Sequence, residues 1–377
     1  MKSRSLLLPF IILLFSSLDL SAQDEKITDN ISISGSIDAF LRIPFDSKSR
    51  VDAAQAPATS FANSNGFSLG MANIVLSKES GKVGFVADLV FGPRGSDAVF
   101  NSAAPSNIIN QLYAYWNVND KLKFTFGNFN TFLGYEVISP ASNFNYSTSY
   151  MFSYGPFSHS GIKADYAFSD KWSAMIAIMN PTDWTDFNPF GTYTYGAQLG
   201  YNGVYLNFLY GDQDGKLDPD LDIGTGATSA GSTFQVDLTA GWDLTETVYF
   251  GLNATYNTTA IGELDNGTAI VDATGEDAGF YGAALYFQIA AFANLSVGTR
   301  VEYFKEFNNA LGVIGLDGNG DGNVLDVTLS GNYKVGSLTI IPELRLDQTS
   351  EDTFVEKSNT GMSKSLSSFV LAAVYSF

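Results

Sequence analysis

SSFVLAAVYSF (367–377) closes the chain. Counting back from Phe377 by twos gives Tyr375, Ala373, Leu371 and Phe369, one face that is wholly apolar. Side chains alternate across a strand with a period of two, so the stretch reads as a β-strand with a single greasy side. Chain ends are usually frayed and polar. An aromatic last residue on such a strand therefore needs an apolar neighbour, which is either a packed protein core or hydrocarbon.

The same alternation runs through the chain. In ISISGSIDAFLRI (31–43), Ile31, Ile33, Ile37, Ala39, Leu41 and Ile43 share one face, and Ser32, Ser34, Ser36, Asp38 and Arg42 the other. FQVDLTAGW (234–242), LSVGTRVEY (295–303), LDVTLSGNYKV (325–335) and LTIIPELRLD (338–347) repeat the split. Each segment has roughly the ten residues that a tilted strand needs to cross a bilayer. After the first residues no stretch is long and apolar enough for a transmembrane helix, and no helical periodicity is sustained. Tight links such as KESGK (78–82), NDK (119–121), SDK (169–171), NG (202–203), LTE (244–246) and VGS (335–337) carry turn residues. They alternate with long irregular stretches at 44–66, 94–107, 131–156, 181–191, 212–232, 258–277, 305–323 and 348–365. The pattern predicts an all-β, transmembrane, antiparallel up-and-down barrel of about sixteen strands, with short periplasmic turns and long extracellular loops.

Charge and aromatic placement favour lipid over a protein core. Only 16% of residues are charged while 14% are aromatic, against roughly 25% charged in ordinary soluble domains. A Lys or Arg facing lipid at mid-bilayer costs roughly 2–4 kcal/mol. Arg42, Lys123, Lys163, Arg300, Lys334 and Arg345 all fall in the polar phase of their strands. Trp116, Trp172 and Trp242, with Tyr201 and Tyr375, lie near short turns, where an interfacial girdle would sit. Two strands, GFSLGMANIVLSK (66–78) and KWSAMIAIMN (171–180), can be phased either way.

MKSRS, LLLPFIILLF and SSLDLSA form a basic region, a short apolar run and a small-residue cut site after Ala22, the pattern of a secretory signal peptide. The expected organisation is a signal peptide over 1–22, a short periplasmic segment over 23–30 and a barrel over 31–377. There is no Cys, which excludes disulfides and a lipid-modified cysteine anchor. The formal charge is −19, and loss of Lys2, Arg4 and Asp19 with the signal takes it to −20. Nucleic acid is thereby disfavoured as a partner, and cations are favoured.

GNFNTFLGYEVISPASNFNYSTSYMFSYGPFSHSGIKADY (127–166) resembles the central motif of the OmpL-like β-barrel porin family of Gram-negative outer membranes. The matching pieces are Gly134-Tyr135-Glu136, the aromatic and hydroxyl run from Asn143 to Tyr150, and Pro156-Phe157-Ser158-His159-Ser160-Gly161. The resemblance implies an outer-membrane porin of general-diffusion or solute-selective type. Phe377, with Phe369, Leu371 and Tyr375 behind it, also resembles the C-terminal signature read by the outer-membrane assembly machinery. The expected setting is the outer membrane of a Gram-negative bacterium, and the strand phase leaves open whether three copies assemble.

Fourteen residues in the polar phase are the expected pore lining: Asp38, Asp88, Asp165, Asp237, Glu302, Asp326, Glu343 and Asp347, with the six bases above. The near balance of sign predicts a polar lumen with weak cation preference, passing small hydrophilic solutes. Loop 131–156 is aromatic and has Glu136 as its one ionisable acid or base; with Tyr135, Phe144, Tyr146 and Tyr150 it either narrows the lumen as a constriction or packs across the mouth. LDGNGDGNVLD (316–326) carries D-x-N-x-D-G, which would place oxygens of Asp317, Asn319, Asp321 and Asn323 around a Ca²⁺ ion; the twelfth position is Thr328, not Glu, and Asp326 could substitute only in another geometry. The alternative is a plain acidic turn, and Asp212-x-Asp214-Gly215-x-x-Asp218 is a weaker fragment of the kind. No cofactor is required. His159 is the only histidine; with Ser158, Ser160 and Asp165 nearby it permits a barrel hydrolase, but no G-x-S-x-G elbow exists. Two other readings therefore stand beside the porin: a structural or adhesive barrel closed by its loops, and a barrel enzyme.

Overall fold

Alternating segments with no helix among them must satisfy their backbone groups by pairing with neighbours, and in lipid only a closed barrel leaves no edge. A computed structural model describes residues 31–45, 56–189, 191–213, 232–260, 264–265, 268–269, 277–356 and 361–377. The predicted signal peptide, the segment over 23–30, and Asp214, Gly215 and Asp218 lie outside the described residues. The described residues form sixteen barrel strands: β1 (Ser32–Pro44), β2 (Gly66–Ser80), β3 (Val83–Phe91), β4 (Ile109–Asn117), β5 (Leu122–Asn130), β6 (Ser158–Ala167), β7 (Trp172–Met179), β8 (Thr194–Tyr201), β9 (Val204–Gly211), β10 (Thr233–Asp243), β11 (Val248–Thr259), β12 (Ala278–Phe292), β13 (Leu295–Phe307), β14 (Gly322–Val335), β15 (Leu338–Thr349) and β16 (Ser365–Ser376). Each pairs antiparallel with the next, and β16 pairs with β1, closing the barrel. Two small hairpins, Leu264–Asp265 with Thr268–Ala269 and Phe354–Val355 with Met362–Ser363, stand apart from it. Helices α1 (Pro93–Ala98) and α2 (Tyr150–Tyr154) belong to long loops. Asn202 and Gly203 both take positive φ, the conformation that a two-residue hairpin turn demands.

Closure explains the aromatic terminus. Ile37 lies opposite Tyr375 and Ile43 opposite Phe369. Gly35 and Phe377 then exchange two backbone hydrogen bonds of 3.0 Å each, so the last residue is part of the seam. A side chain at Gly35 would come within 2.9 Å of the Phe377 ring and 2.0 Å of the Asn73 carbonyl oxygen, so glycine leaves room for both. Deleting Phe377 is expected to lower the amount of heat-resistant, assembled protein in membranes; an unchanged amount would remove the residue from the assembly signal.

The outer face is apolar, as the phase predicts. Phe67, Phe126 and Ile176 are among many large hydrophobic side chains turned outward, and Ile176 in mid-β7 is 67% exposed. Ile176→Arg is expected to cost about 2–4 kcal/mol in lipid vesicles, read by denaturant unfolding. The three girdle tryptophans each face an aromatic residue across the ladder: Trp116 opposite Phe124, Trp172 opposite Tyr201 and Trp242 opposite Phe250. A second belt near the long-loop end contains Tyr195 opposite Tyr210 and Tyr256 opposite Tyr281, with Tyr303 alongside.

Both ambiguous strands have physical explanations. In β2 the register with β1 shifts, with Ile37 opposite Ala72 but Ala39 opposite Leu69. This bulge moves the outward set from Phe67 and Leu69 to Ala72, Ile74 and Leu76. Asp38 fills it, accepting the Met71 N–H at 3.0 Å, and a Cβ on Gly70 would stand only 1.6 Å from its carboxylate. In β7 both faces are apolar: Trp172, Ile176 and Ile178 face out, while Met175, Ala177 and Met179 pack inside with Phe129. The expected polar lumen thus needs correction. Phe40, Phe304, Val324 and Ile341 also point inward and join apolar clusters with loop side chains.

Candidate functional site: a loop seated in the barrel

Loop 131–157 lies inside the barrel because its unpaired backbone groups meet side chains built into the wall. Glu302 of β13 accepts the N–H groups of Tyr150 and Met151, both at 2.8 Å, at the first turn of α2. Ser149 caps that turn by accepting the Phe152 N–H at 3.1 Å. Glu343 of β15 accepts the Tyr146 and Ser147 N–H groups at 2.7 and 3.1 Å. Asp237 of β10 accepts the Gly134 N–H at 2.9 Å. Three wall carboxylates therefore hold loop backbone at three places.

Arginines complete the seat. Arg300 sends one arm to Asp326 of β14 at 2.7 Å and the other to loop Glu136 at 2.6 Å and the Ser147 carbonyl at 2.8 Å. Arg345 pairs with Asp347 at 2.8 Å and donates to the Thr148 carbonyl at 2.8 Å. Arg42 donates to Asn65 Oδ1 at 2.6 Å and the Asn63 carbonyl at 3.2 Å in the first long loop. Hydrogen bonds to charged groups are the strong ones, and burial removes the water that would weaken them.

All fourteen expected lining residues lie on the inner phase of their strands, but they form two groups. Asp38, Arg42, Asp88, Asp237, Arg300, Glu302, Asp326, Glu343, Arg345 and Asp347 are buried, most of them under loops. Asp88 is ringed by Asn73, Asn110 and Gln111. Lys123, Lys163, Asp165 and Lys334 remain partly or fully exposed toward the short-turn half of the lumen. Lys163 and Asp165 pair at 3.1 Å, and Lys123 lies 4.3 Å from the Tyr115 ring centre.

The five expected loop residues all take part. Tyr146 and Tyr150 are buried, donating to Asp38 at 2.5 Å and Asp347 at 3.1 Å. Tyr135 stacks on Tyr286 with ring centres 4.1 Å apart and donates to Tyr249 at 2.8 Å. Phe144 reaches the wall beside Gly298, where a Cβ would meet its ring at 2.6 Å. Arg94 of α1 was not expected here: it is buried, lies 4.3 Å from the Phe61 ring and donates to the Ile138 carbonyl at 2.8 Å. Its loop has no periodicity, so sequence alone gave it no face.

A cavity of about 450 Å³ remains between the tip of this loop and the wall at the short-turn ends of β11, β12, β14, β15 and β16. Tyr135, Tyr249, Tyr286, Gln288, Asn332 and Lys334 are among its lining residues.

The other candidates are not gathered into sites. Asp317 accepts the N–H groups of Asn319 and Asp321 at 2.9 and 3.0 Å, which holds its carboxyl below the usual range. Asp321 pairs with Lys305 at 2.6 Å, and the Asn323 carbonyl accepts the Ser350 N–H at 2.8 Å. Asp326 and Thr328 point into the lumen and engage Arg300. Among the described residues no three acids or histidines converge as metal ligands. His159 is buried against Phe132, with Nε2 3.0 Å from Thr131 Oγ1. Ser160 faces the other way, bonded to Asn128 and the Thr185 carbonyl, and Asp165 is six residues along the strand, about 20 Å.

Asp183, in loop 180–193, accepts the Phe157 and Ser158 N–H groups at 2.8 and 2.9 Å and ties that loop to the end of loop 131–157. Burial pushes its carboxyl up to about 6 despite these bonds. A raised acid contributes stability that is full below the ordinary carboxylate range and is lost as pH rises through about 6. Asp183→Asn should flatten the stability profile between about pH 4 and about pH 7, measured by thermal unfolding in detergent.

A closed sixteen-stranded barrel with an apolar belt, two aromatic girdles and a loop folded into its bore defines an outer-membrane barrel of porin type. The chain belongs to the family described as "Putative beta-barrel porin-2, OmpL-like", whose profile matches residues 30–377, and it is a protein of the Gram-negative outer membrane. Among curated proteins nothing matches the sequence. Solved structures similar in fold include DcaP, an outer membrane channel of Acinetobacter baumannii (TM-score 0.55, 13% identity, 94% of this chain and 99% of that one). They also include a loop L8 deletion mutant of OmpT, an outer membrane protein of Vibrio cholerae (TM-score 0.55, 11% identity, 92% and 99%). OmpT in a trimer form matches with a TM-score of 0.53 at 11% identity over 92% and 99%.

Proposed function

We propose that this barrel is a passive pore for small hydrophilic solutes, narrowed by loop 131–157. The observation that carries the reading is the charged inner face of Lys123, Lys163 and Asp165, partly exposed, and Lys334, exposed, below a loop held inside the bore. Mixed charges on such a face order water and select weakly, and with three lysines against one aspartate on it the weak cation preference expected from all fourteen residues turns into a slight preference for anions. The reading has no catalytic step and needs no cofactor. Ca²⁺ bound at 317–323 would have to displace Lys305 from Asp321. Export on the 1–22 signal, recognition of Phe369, Leu371, Tyr375 and Phe377 by the assembly machinery, and assembly as a homotrimer belong to the same proposal.

Purified protein in a planar bilayer is expected to give stepwise ion currents. A second reading, a structural or adhesive barrel closed by its loops, is favoured by the burial of ten of the fourteen inner charged residues. Incorporated protein that carries no current would decide for it.

A further inference from the structure

Two charged residues of the barrel strands fall on the lipid-facing phase, and both are lysines: Lys305 of β13 and Lys78 of β2. Lys305, opposite Tyr281 near the long-loop end, has its charge met by Asp321 at 2.6 Å. Lys78 continues the outward set of Ile74 and Leu76 and lies opposite Phe85, three residues before Gly81 of the β2–β3 turn. Among the described residues no carboxylate pairs with it. Its neighbour Glu79 points into the lumen, where it accepts the Tyr115 hydroxyl at 2.7 Å, and Lys82 of the same turn donates to the Val118 carbonyl at 3.0 Å. A lysine on the lipid side lays its stem along apolar surface and carries its ammonium to the headgroups. The anion that Lys305 draws from its own chain, Lys78 must draw from the membrane.

The surface beside Lys78 is shaped to hold the rest of such a molecule. On the outer face the row Lys78, Phe85, Ala114 and Phe126 crosses β2 to β5. Ala114 is the one small side chain in that row, so a groove of about 520 Å³ opens over its methyl group, walled by Phe85, Trp116, Phe124 and Phe126. Phe126 is 69% exposed, and Trp116 stacks on Phe124 with ring centres 6.3 Å apart. Lys78 and Ser80 bring polar atoms to the edge of this otherwise apolar space. A hydrocarbon groove with a cation at its edge matches a lipid with a long chain and an anionic headgroup. Short turns of such barrels face the periplasm, so the leaflet on that side supplies it. We infer that β2 to β5 carry a binding site for a net-anionic glycerophospholipid of the periplasmic leaflet, one acyl chain lying over Ala114 and the phosphate at the Lys78 ammonium. Cations at the membrane surface favour anionic lipids. A zwitterionic headgroup already neutralises its own phosphate.

The full chain in detergent, offered equal amounts of palmitoyl-oleoyl phosphatidylglycerol and phosphatidylethanolamine, should retain phosphatidylglycerol about fivefold over the other, read by native mass spectrometry. Lys78→Gln should bring the ratio near one, and Lys78→Arg should keep it. Lys171→Gln, on a short turn away from the groove, should leave it unchanged. Ala114→Phe, which fills the groove floor, should weaken retention of both lipids. Equal retention by the parent, a preference that survives Lys78→Gln or falls as much in Lys171→Gln, or retention unaffected by Ala114→Phe would each overturn the site. So would lipid-free oligomers that dissociate in Ala114→Phe, since the groove would then belong to a second copy. None of these outcomes depends on whether the bore conducts.

Discussion

Replacing residues 138–152 by a short Gly-Ser link should raise single-channel conductance several-fold. The segment contains Tyr146, Tyr150, Met151 and Phe152, all buried inside the barrel. It also supplies the backbone N–H groups that occupy Glu302 and Glu343 and the carbonyls that occupy Arg300 and Arg345. Without it those four charged side chains face water, and the bore becomes both wider and more polar. The strands hold one another through the continuous ladder, so the barrel itself should still assemble. Equal conductance before and after deletion would show that the segment does not restrict the path.

Arg300→Met should cost about 3–5 kcal/mol, because it leaves Asp326 and Glu136 buried without their shared cation. Urea unfolding in micelles reads the stability loss, and broadened signals from Tyr146 to Met151 would read the loosening of the loop. Lys is a poor replacement: an ammonium cannot reproduce the fork that reaches Asp326 with Nε and Nη2 while Nη1 bonds Glu136. If Arg300→Met unfolds at the same denaturant concentration as the parent, the seat described above is not what holds the loop.

Much of the architecture was legible because a lipid surround imposes period two on every strand and turns on every link. The assignment of Phe369, Leu371 and Tyr375 to the lipid side and the alternation of seven short with eight long connections both follow from that rule. It failed where other forces acted. In β2 a bulge reversed the phase, and Asp38, the residue that fills it, lies more than thirty positions from Gly70 in the chain. In β7 the inward methionines serve a local core, so hydrophobicity carries no directional signal. The inward direction of the fourteen charged residues was legible from phase, but the burial of ten of them was not, since it depends on partners as distant as Tyr150 and Glu302. Nothing in the spacing of a D-x-N-x-D-G stretch tells whether its carboxylates face an ion or, as here, backbone amides and Lys305.

Strand lengths differ around the barrel. From β3 to β9 the strands have eight to ten residues, whereas the remaining strands have eleven to fifteen. Tilted by about 40°, eight residues rise only about 20 Å along the normal, short of an apolar band of about 25 Å. Acyl chains beside this flank must compress to match it, at a fraction of a kcal/mol for each ångström of mismatch. Were two such barrels to meet along their thin flanks, they would share one compressed annulus in place of two, and elastic relief in the bilayer would favour that meeting even before any side chain touched.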